Sequence, residues 1–589
     1  VDDEIEAPPA SEASDASEAS VAPEAPQKLP WFGRPTFGGS VLGLLFWWRS
    51  LYPTLMPRTW LAQALVTALS VALGYALGTL AGHLGHRLLQ RQGWEPTAAT
   101  KRTAWLVVAV GAAVAVVLSL TVWPSWQDDQ RDLLGMDGIS RVGAIPMVLV
   151  ATLVLGVLVL LGRLIARGVI RLHRFNGRHL PHALAAPVTV VLVVVIGLFV
   201  LRDVAGAWLV GRANDAFGTI DTSTNEGTEQ PASPFVSGSP DSLVEWDSLG
   251  VQGRDFVAQA TPLEHMEEFH GTDDDDGGRR AMEPIRVYTG IRTEEELEAR
   301  AEIAVAELHR TDAFEREVLV VATTTGTGWI DPDAAEALEL LHRGDTAIVG
   351  MQYSYLPSWI STLVDKGAAQ AAGAALYDAV YDAWVELPED ERPRLLAFGL
   401  SLGSYGGEAA FAGVDAGTSV ANLAARTDGA LFVGPTNDNT IWRQLTEGRD
   451  EGSPWWQPVF EGGDQVRFRT RGPDAVELPE AWDGPRILYV QHPSDPVTFW
   501  SMDTLWSQPG WMDRPTGHDV PDGVRWTPVV TWVQGLYDLT AGFAAPPGHG
   551  HDYRLDYVDA WATVAAPEGW TDADTARLEG VLFPEDETD

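Results

Sequence analysis

A serine between glycines, an aspartate before a proline and two histidines near the C-terminus are the residues whose types and spacing suit covalent chemistry. Ser401 stands in Gly399-Leu400-Ser401-Leu402-Gly403, directly after the apolar run RPRLLAFGLS (392–401) and ahead of the small-residue stretch GGEAAFAG (406–413). G-x-S-x-G between a strand and a helix forms a turn so tight that both glycines must admit neighbouring backbone, and it exposes the serine hydroxyl. Such a hydroxyl becomes a strong nucleophile only when a base takes its proton and a third group orients that base. Asp495 follows the apolar run ILYVQHP, where an orienting carboxylate belongs, with Asp503 in reserve. PPGHGHDY (546–553) then offers His551, the preferred base, and His549, its close alternative. A glycine-flanked histidine on a loop suits a general base. His492 precedes the acid and falls outside the order serine, acid, histidine.

A tetrahedral oxyanion needs two backbone N–H donors. Leu402, after the serine, supplies one; Gly326, Thr327 and Gly328, in TTTGTGW (323–329), are candidates for the other. This loop lacks the lysine of a phosphate-cradling motif. No cofactor and no metal ligand set is expected, and with no cysteine in the chain neither disulfides nor thiolate metal sites can form. The run Asp273–Asp276 lacks the alternating spacing of a calcium loop and reads as a solvated turn.

The elements needed to position these groups are legible as alternation. REVLVVATTTG (316–326), DTAIVGMQYS (345–354), RPRLLAFGLS (392–401), DGALFVGP (428–435) and PRILYVQHPSD (485–495) read as short buried strands. DAAEALELLHR (333–343) and the stretch 359–386 read as helices between them. Such alternation predicts a parallel sheet covered on both faces, with its site at the carboxyl ends of the strands. MQYSYLPSW (351–359) puts aromatics at a strand end, where they line the site mouth or join the core.

The first two hundred residues differ in kind. Four stretches, 59–86, 103–123, 142–162 and 183–201, are apolar over about 20 residues, the length that crosses a bilayer. A weaker fifth, 37–57, holds Arg49 and two prolines before its end. The expected fold is therefore an α-helical transmembrane bundle of four to five spans (37–205), followed by an α/β domain (285–575). A linker at 206–284, richest in Gly, Ser, Thr, Asn and Pro over 212–245, joins them, and acidic tails occupy 1–36 and 576–589. The small residues of GYALGTLAG suit close helix packing. Arg87, Arg91, Lys101 and Arg102, and the five arginines at 163–178, mark cytoplasmic loops, whereas Asp128, Asp129, Asp132 and Asp137 mark an outer one. The α/β domain then lies outside the cytoplasmic membrane. No cleavable signal peptide is expected ahead of the apolar region, and the opening Val suggests a native start further upstream. A net charge of −41 argues against nucleic acid as a partner, and the 24 tryptophans suit a domain beside lipid headgroups or a large core.

Seven motifs together resemble the actinobacterial membrane-anchored α/β-hydrolases, which pair a polytopic N-terminal domain with a C-terminal hydrolase domain. They are LYPTLMPRTW (51–60), EPIRVYTG (283–290), TGTGWIDP (325–332), MQYSYLPSW, FGLSLGSYGGEAAF (398–411), QHPSDPV (491–497) and PPGHGHDY. The resemblance implies an α/β-hydrolase fold, that topology and a serine-hydrolase-type site. The expected activity is that of a serine esterase or lipase on a lipid or envelope ester outside the membrane, with membrane lipids as neighbours. An acyltransferase using the same triad, or a non-catalytic binding module, are the alternatives. Oligomeric state is not legible. One departure stands out: no clear strand lies between the helical stretch 527–543 and the histidine loop.

Overall fold

The computed structural model describes residues 35–92, 97–199, 207–271, 280–473, 475–479, 482 and 484–584. The acidic N-terminal segment up to residue 34, the run Asp273–Asp276 and the last five residues lie outside the described residues.

The N-terminal half is helical: α1 Phe37–Ser50, α2 Trp60–Arg91, α3 Ala98–Leu133, α4 Ala144–His179 and α5 His182–Phe199. Among the described residues three helices are long and apolar enough to cross a membrane, namely α2, α3 and the run Arg141–His179. The apolar part of α5, Leu184–Gly197, is shorter. The 14 residues of α1 rise only about 21 Å, less than the roughly 30 Å of a bilayer core. Glycines bring α1 against α2: a Cβ built on Gly78 would stand 2.3 Å from Gly38 O, so any larger residue would push the helices apart.

The segment 206–284 is not a simple connector. After α6 (Ala207–Asp221), the stretch 222–245 runs to the edge of the sheet. There Ser237 N–H donates to Arg286 O at 3.0 Å, and Arg286 N–H to Phe235 O at 3.3 Å. Its polar residues are bound rather than solvated, because buried Glu307 accepts from Ser237 Oγ, Ser242 Oγ and Leu243 N–H. Helices α7 (Gly250–Ala258) and α8 (Leu263–His270) follow. Thr261 between them donates to Glu339, which also forms a 2.6 Å ion pair with buried Arg286.

Seven strands form one all-parallel sheet. They are β1 Ile285–Thr289, β2 Val318–Thr323, β3 Thr346–Met351, β4 Arg394–Leu400, β5 Gly429–Val433, β6 Val466–Arg469 and β7 Arg486–Val490. Their order is β1-β3-β2-β4-β5-β7-β6. Two apolar clusters, one on each face, bury it. Helices α9 (Leu297–Arg310) and α10 (Pro332–Leu341) flank β2; α11 (Ser358–Val364) and α12 (Gly367–Val385) replace the single helix expected over 359–386. Then come α13 (Leu402–Gly407), α14 (Ala416–Arg426), α15 (Thr440–Glu447), α16 (Pro496–Phe499), α17 (Val530–Ala541), α18 (Tyr557–Ala565) and α19 (Asp572–Leu582). The expected acidic tail from 576 instead completes α19, whose Leu578 is buried in the core. The chain crosses from β3 over β2 to β4, so the order in which strands are added reverses between β2 and β4, where α/β sheets form crevices.

The two halves meet through the α1–α2 connection. Arg49 donates from Nε to Thr527 Oγ1 at 2.5 Å and from Nη2 to Trp526 O at 3.0 Å. The Gln534 amide of α17 donates to Ser50 O and Tyr52 O. Fully buried Arg58 donates to Ser50 O, Tyr52 O, Gln63 Oε1 and Thr54 Oγ1, bracing the connection.

Candidate active site

Ser401 joins β4 to α13 with φ 57° and ψ −122°, a strained conformation for a residue with a side chain. Its N–H is fixed by a 2.9 Å bond to Val433 O of β5. A Cβ on Gly399 would stand 2.4 Å from Gly403 O, and one on Gly403 2.3 Å from Thr323 O. Neither position tolerates a side chain, which is the close approach the G-x-S-x-G pattern anticipates.

Asp495 is fully buried at the N-cap of α16. Its Oδ1 accepts from Val497 N–H at 2.8 Å, and its Oδ2 from Thr498 Oγ1 at 3.0 Å, Tyr553 OH at 2.7 Å and the His551 imidazole at 2.8 Å. Burial raises its pKa, but the charge and hydrogen bond of His551, with Tyr553 and the Val497 N–H, outweigh this and hold it below the usual carboxylate range. It is therefore poised to remain ionised.

The Nδ1 of His551 faces Asp495, and its Nε2 is buried without a hydrogen bond among the described residues. The ring lies over the carboxyl end of β5: a Cβ on Gly434 would stand 2.7 Å from His551 Cε1. Ser401 is held by Val433, the residue before Gly434, so the bare imidazole edge and the serine share one rim of the sheet. The loop is fixed on several sides. His551 N–H donates to Gly542 O at 2.9 Å, and the Phe543 ring meets the imidazole edge-on at 4.9 Å. Gly550 N–H donates to Ser494 Oγ at 2.9 Å, while Gly550 O bonds His492 Nδ1 at 3.0 Å.

The two histidines left open by the sequence thus part company. His549 Nδ1 pairs with a different carboxylate, Asp519, at 3.1 Å. The reserve acid Asp503 is exposed and holds neither histidine. His492 bonds Asp556 at 3.0 Å and stacks on Tyr553 at 4.2 Å, supporting the loop from below. Its pKa is raised: burial lowers it, but the Asp556 charge prevails.

The TTTGTGW loop follows β2. It abuts the start of α13, since Gly403 touches the backbone of Thr323 and Thr324. Two of its three candidate donors are already engaged. Gly326 N–H donates to Ser358 Oγ at 3.1 Å and Gly328 N–H to Thr325 O at 2.9 Å. Among the described residues Thr327 N–H and Leu402 N–H make no such bond. Gln352 Nε2 holds Thr327 O at 3.0 Å and Asp221 Oδ1 of α6 at 3.0 Å, tying this loop to the helix that follows the bundle. Of the MQYSYLPSW aromatics, Tyr353 packs against Leu402 and Tyr405, whereas Trp359 is 63% exposed.

Tyr553, Ser494, Asp519 and the His492–Asp556 pair were not singled out as site residues in the sequence. Tyr553 carried a faint signal, two residues after His551 in the same motif; the others required the fold.

Residues 285–578 match a family model described as "Alpha/beta-hydrolase family", and residues 51–261 match that described as "Alpha/beta-hydrolase family N-terminus". No curated protein and no solved structure matches the chain.

Proposed function

The chain belongs to this family of α/β-hydrolases, with its N-terminal domain, and from that premise we propose that it is a membrane-anchored serine hydrolase cleaving a lipid or envelope ester outside the cytoplasmic membrane. The observation that carries the reading is the bare, buried Nε2 of His551, oriented by Asp495 and set on the rim that holds the strained Ser401.

Ser401 Oγ attacks the ester carbonyl carbon while His551 Nε2 takes its proton, and Asp495 stabilises the imidazolium. The N–H groups of Leu402 and Thr327 receive the oxyanion. Collapse breaks the ester C–O bond, and His551 returns the proton to the departing alcohol. Water, deprotonated by His551, then attacks the acyl-serine; the C–Oγ bond breaks, His551 returns the proton to Ser401 Oγ and the acid leaves. An acyltransferase differs only in that an acceptor hydroxyl replaces water.

One feature favours a lipid ester. An apolar groove of about 390 Å³ runs between α2 and α17, lined by Leu61, Leu65, Leu69, Val533, Leu536 and Tyr537. It opens where α2 meets α17 of the α/β domain, and its apolar lining suits an acyl chain. The charge pattern supports the outward orientation. Gln130 Nε2 at the acidic end of α3 donates to Thr54 O, so this end adjoins the α/β domain. The arginine-rich ends of α2 and α4 lie at the opposite ends of those helices. In this reading α5 is a fourth span, returning the chain to the outer face.

The test is product analysis of the protein in lipid vesicles containing an ester lipid, with and without an acceptor alcohol. Free acid in both supports the hydrolase, and acylated acceptor the transferase. Unchanged lipid in both, alike for wild type and Ser401→Ala, would leave the domain a binding module.

A further inference from the structure

A second cluster beside the serine site takes no part in that mechanism. His518, Asp519 and His549 each present a ligand atom, and these atoms lie within 4.8 Å of one another. Asp519 is fully buried. Its Oδ2 accepts from Ser494 Oγ at 2.5 Å and pairs with His549 Nδ1 at 3.1 Å, while its Oδ1 is buried with no hydrogen bond among the described residues. An unsatisfied carboxylate oxygen in the interior is unfavourable, and a cation held there would satisfy it. The backbone makes room for the cluster. Gly472 has φ +112°, and a Cβ there would stand 2.4 Å from His518 Nδ1.

We propose that His518, Asp519 and His549 bind one divalent transition-metal ion of the zinc class. Two imidazoles and one carboxylate suit such an ion, whereas calcium and magnesium take oxygen donors. With bonds of about 2.0–2.2 Å, tetrahedral ligand atoms stand about 3.3 Å apart. The 3.1 Å between His549 and Asp519 already fits. No separation exceeds 4.8 Å, so none must close by more than about 1.5 Å. The ion takes the place between His549 Nδ1 and Asp519, with the bound imidazole neutral and its one proton at Nε2. Both histidines are partly exposed, which gives the ion a path in and leaves its fourth position open to water.

The site bears on the serine chemistry through one residue. Ser494 donates to Asp519 and accepts the Gly550 N–H. An ion on Asp519 and His549 therefore fixes the loop on both sides of Gly550, next to His551.

The test uses the full-length, tag-free protein in detergent, stripped with chelator and titrated with Co²⁺, followed by Zn²⁺ competition. The expected result is one equivalent bound, with visible bands of tetrahedral cobalt that Zn²⁺ abolishes. His518→Gln and His549→Gln should each bind at least about 100-fold more weakly, and Ser494→Ala, which removes an outer partner, about 10–100-fold more weakly. Asp519→Asn is the obvious variant, but it can fail to fold, so the two histidine variants, checked for monodispersity, decide. No binding by wild type, or binding undiminished in both histidine variants, would overturn the proposal.

Discussion

Thr54 Oγ1 lies 3.0 Å from Asp538 Oδ1, so the connection between the first two helices donates a hydrogen bond to a buried carboxylate of the α/β domain. Leu55 N–H donates to the other oxygen at 3.3 Å, and Arg58 Nη2 donates to Thr54 Oγ1. Met56, next in the connection, reaches the histidine loop: a Cβ on Gly550 would stand 3.3 Å from Met56 Cε. The helical half thus bears on the candidate site, because its first turn-back is packed against the loop that carries His551. Asp538→Ala removes the acceptor of Thr54 Oγ1 and of Leu55 N–H at this buried junction. Leaving them unsatisfied should cost about 1–3 kcal/mol, read as a lower melting temperature of the detergent-solubilised protein, with slower turnover of a soluble ester.

The same carboxyl gives a pH dependence. Burial raises the Asp538 pKa from 3.8 to about 6, against the opposing pull of Arg58 and Thr54. The folded state therefore binds its proton more tightly than the unfolded chain. This contribution is fully present below pH 3.8 and is lost as pH rises to about 6. It amounts to roughly 3 kcal/mol across that window. Melting measured at stepped pH should show Asp538→Asn losing less stability than wild type between those limits.

The histidines divide by partner. His551→Ala should lower ester turnover by at least roughly a thousandfold, because the base that faces Asp495 is gone. His549→Ala should lower it by less than about tenfold, since Asp519 is its partner. Initial rates on a soluble ester decide between them, and equal losses would contradict the assignment.

Gly434→Ala tests position rather than chemistry. Its methyl would meet His551 Cε1 at 2.7 Å and Tyr553 at the same distance, pushing the imidazole from the rim. A displacement of about 1 Å costs on the order of 100-fold in rate. The variant should lose turnover while Asp495, Tyr553 and the sheet keep the fold, measured as rate beside far-ultraviolet circular dichroism.

What the sequence shows of this molecule depends on how each element hides its polar groups. Strands β2, β3, β4, β5 and β7 are buried on both faces, so each is an apolar run with clear ends. The edge strand β6, VRFR, alternates arginine with apolar residues and has no such signature. The polar stretch 222–245 looks like a linker because its partners, Glu307 and the edge of β1, are distant in sequence. Ser401 and Asp495 were legible from the strand ends that carry them. The choice between His549 and His551 was not, because it turns on which ring faces a carboxylate more than fifty residues away.

The most direct test of the central claim is labelling of the detergent-solubilised protein with a fluorophosphonate, followed by peptide mass mapping. One adduct, on Ser401, is expected in wild type, with none in Ser401→Ala and much slower labelling in His551→Ala. An adduct on another serine, or equal labelling of wild type and Ser401→Ala, would contradict the account.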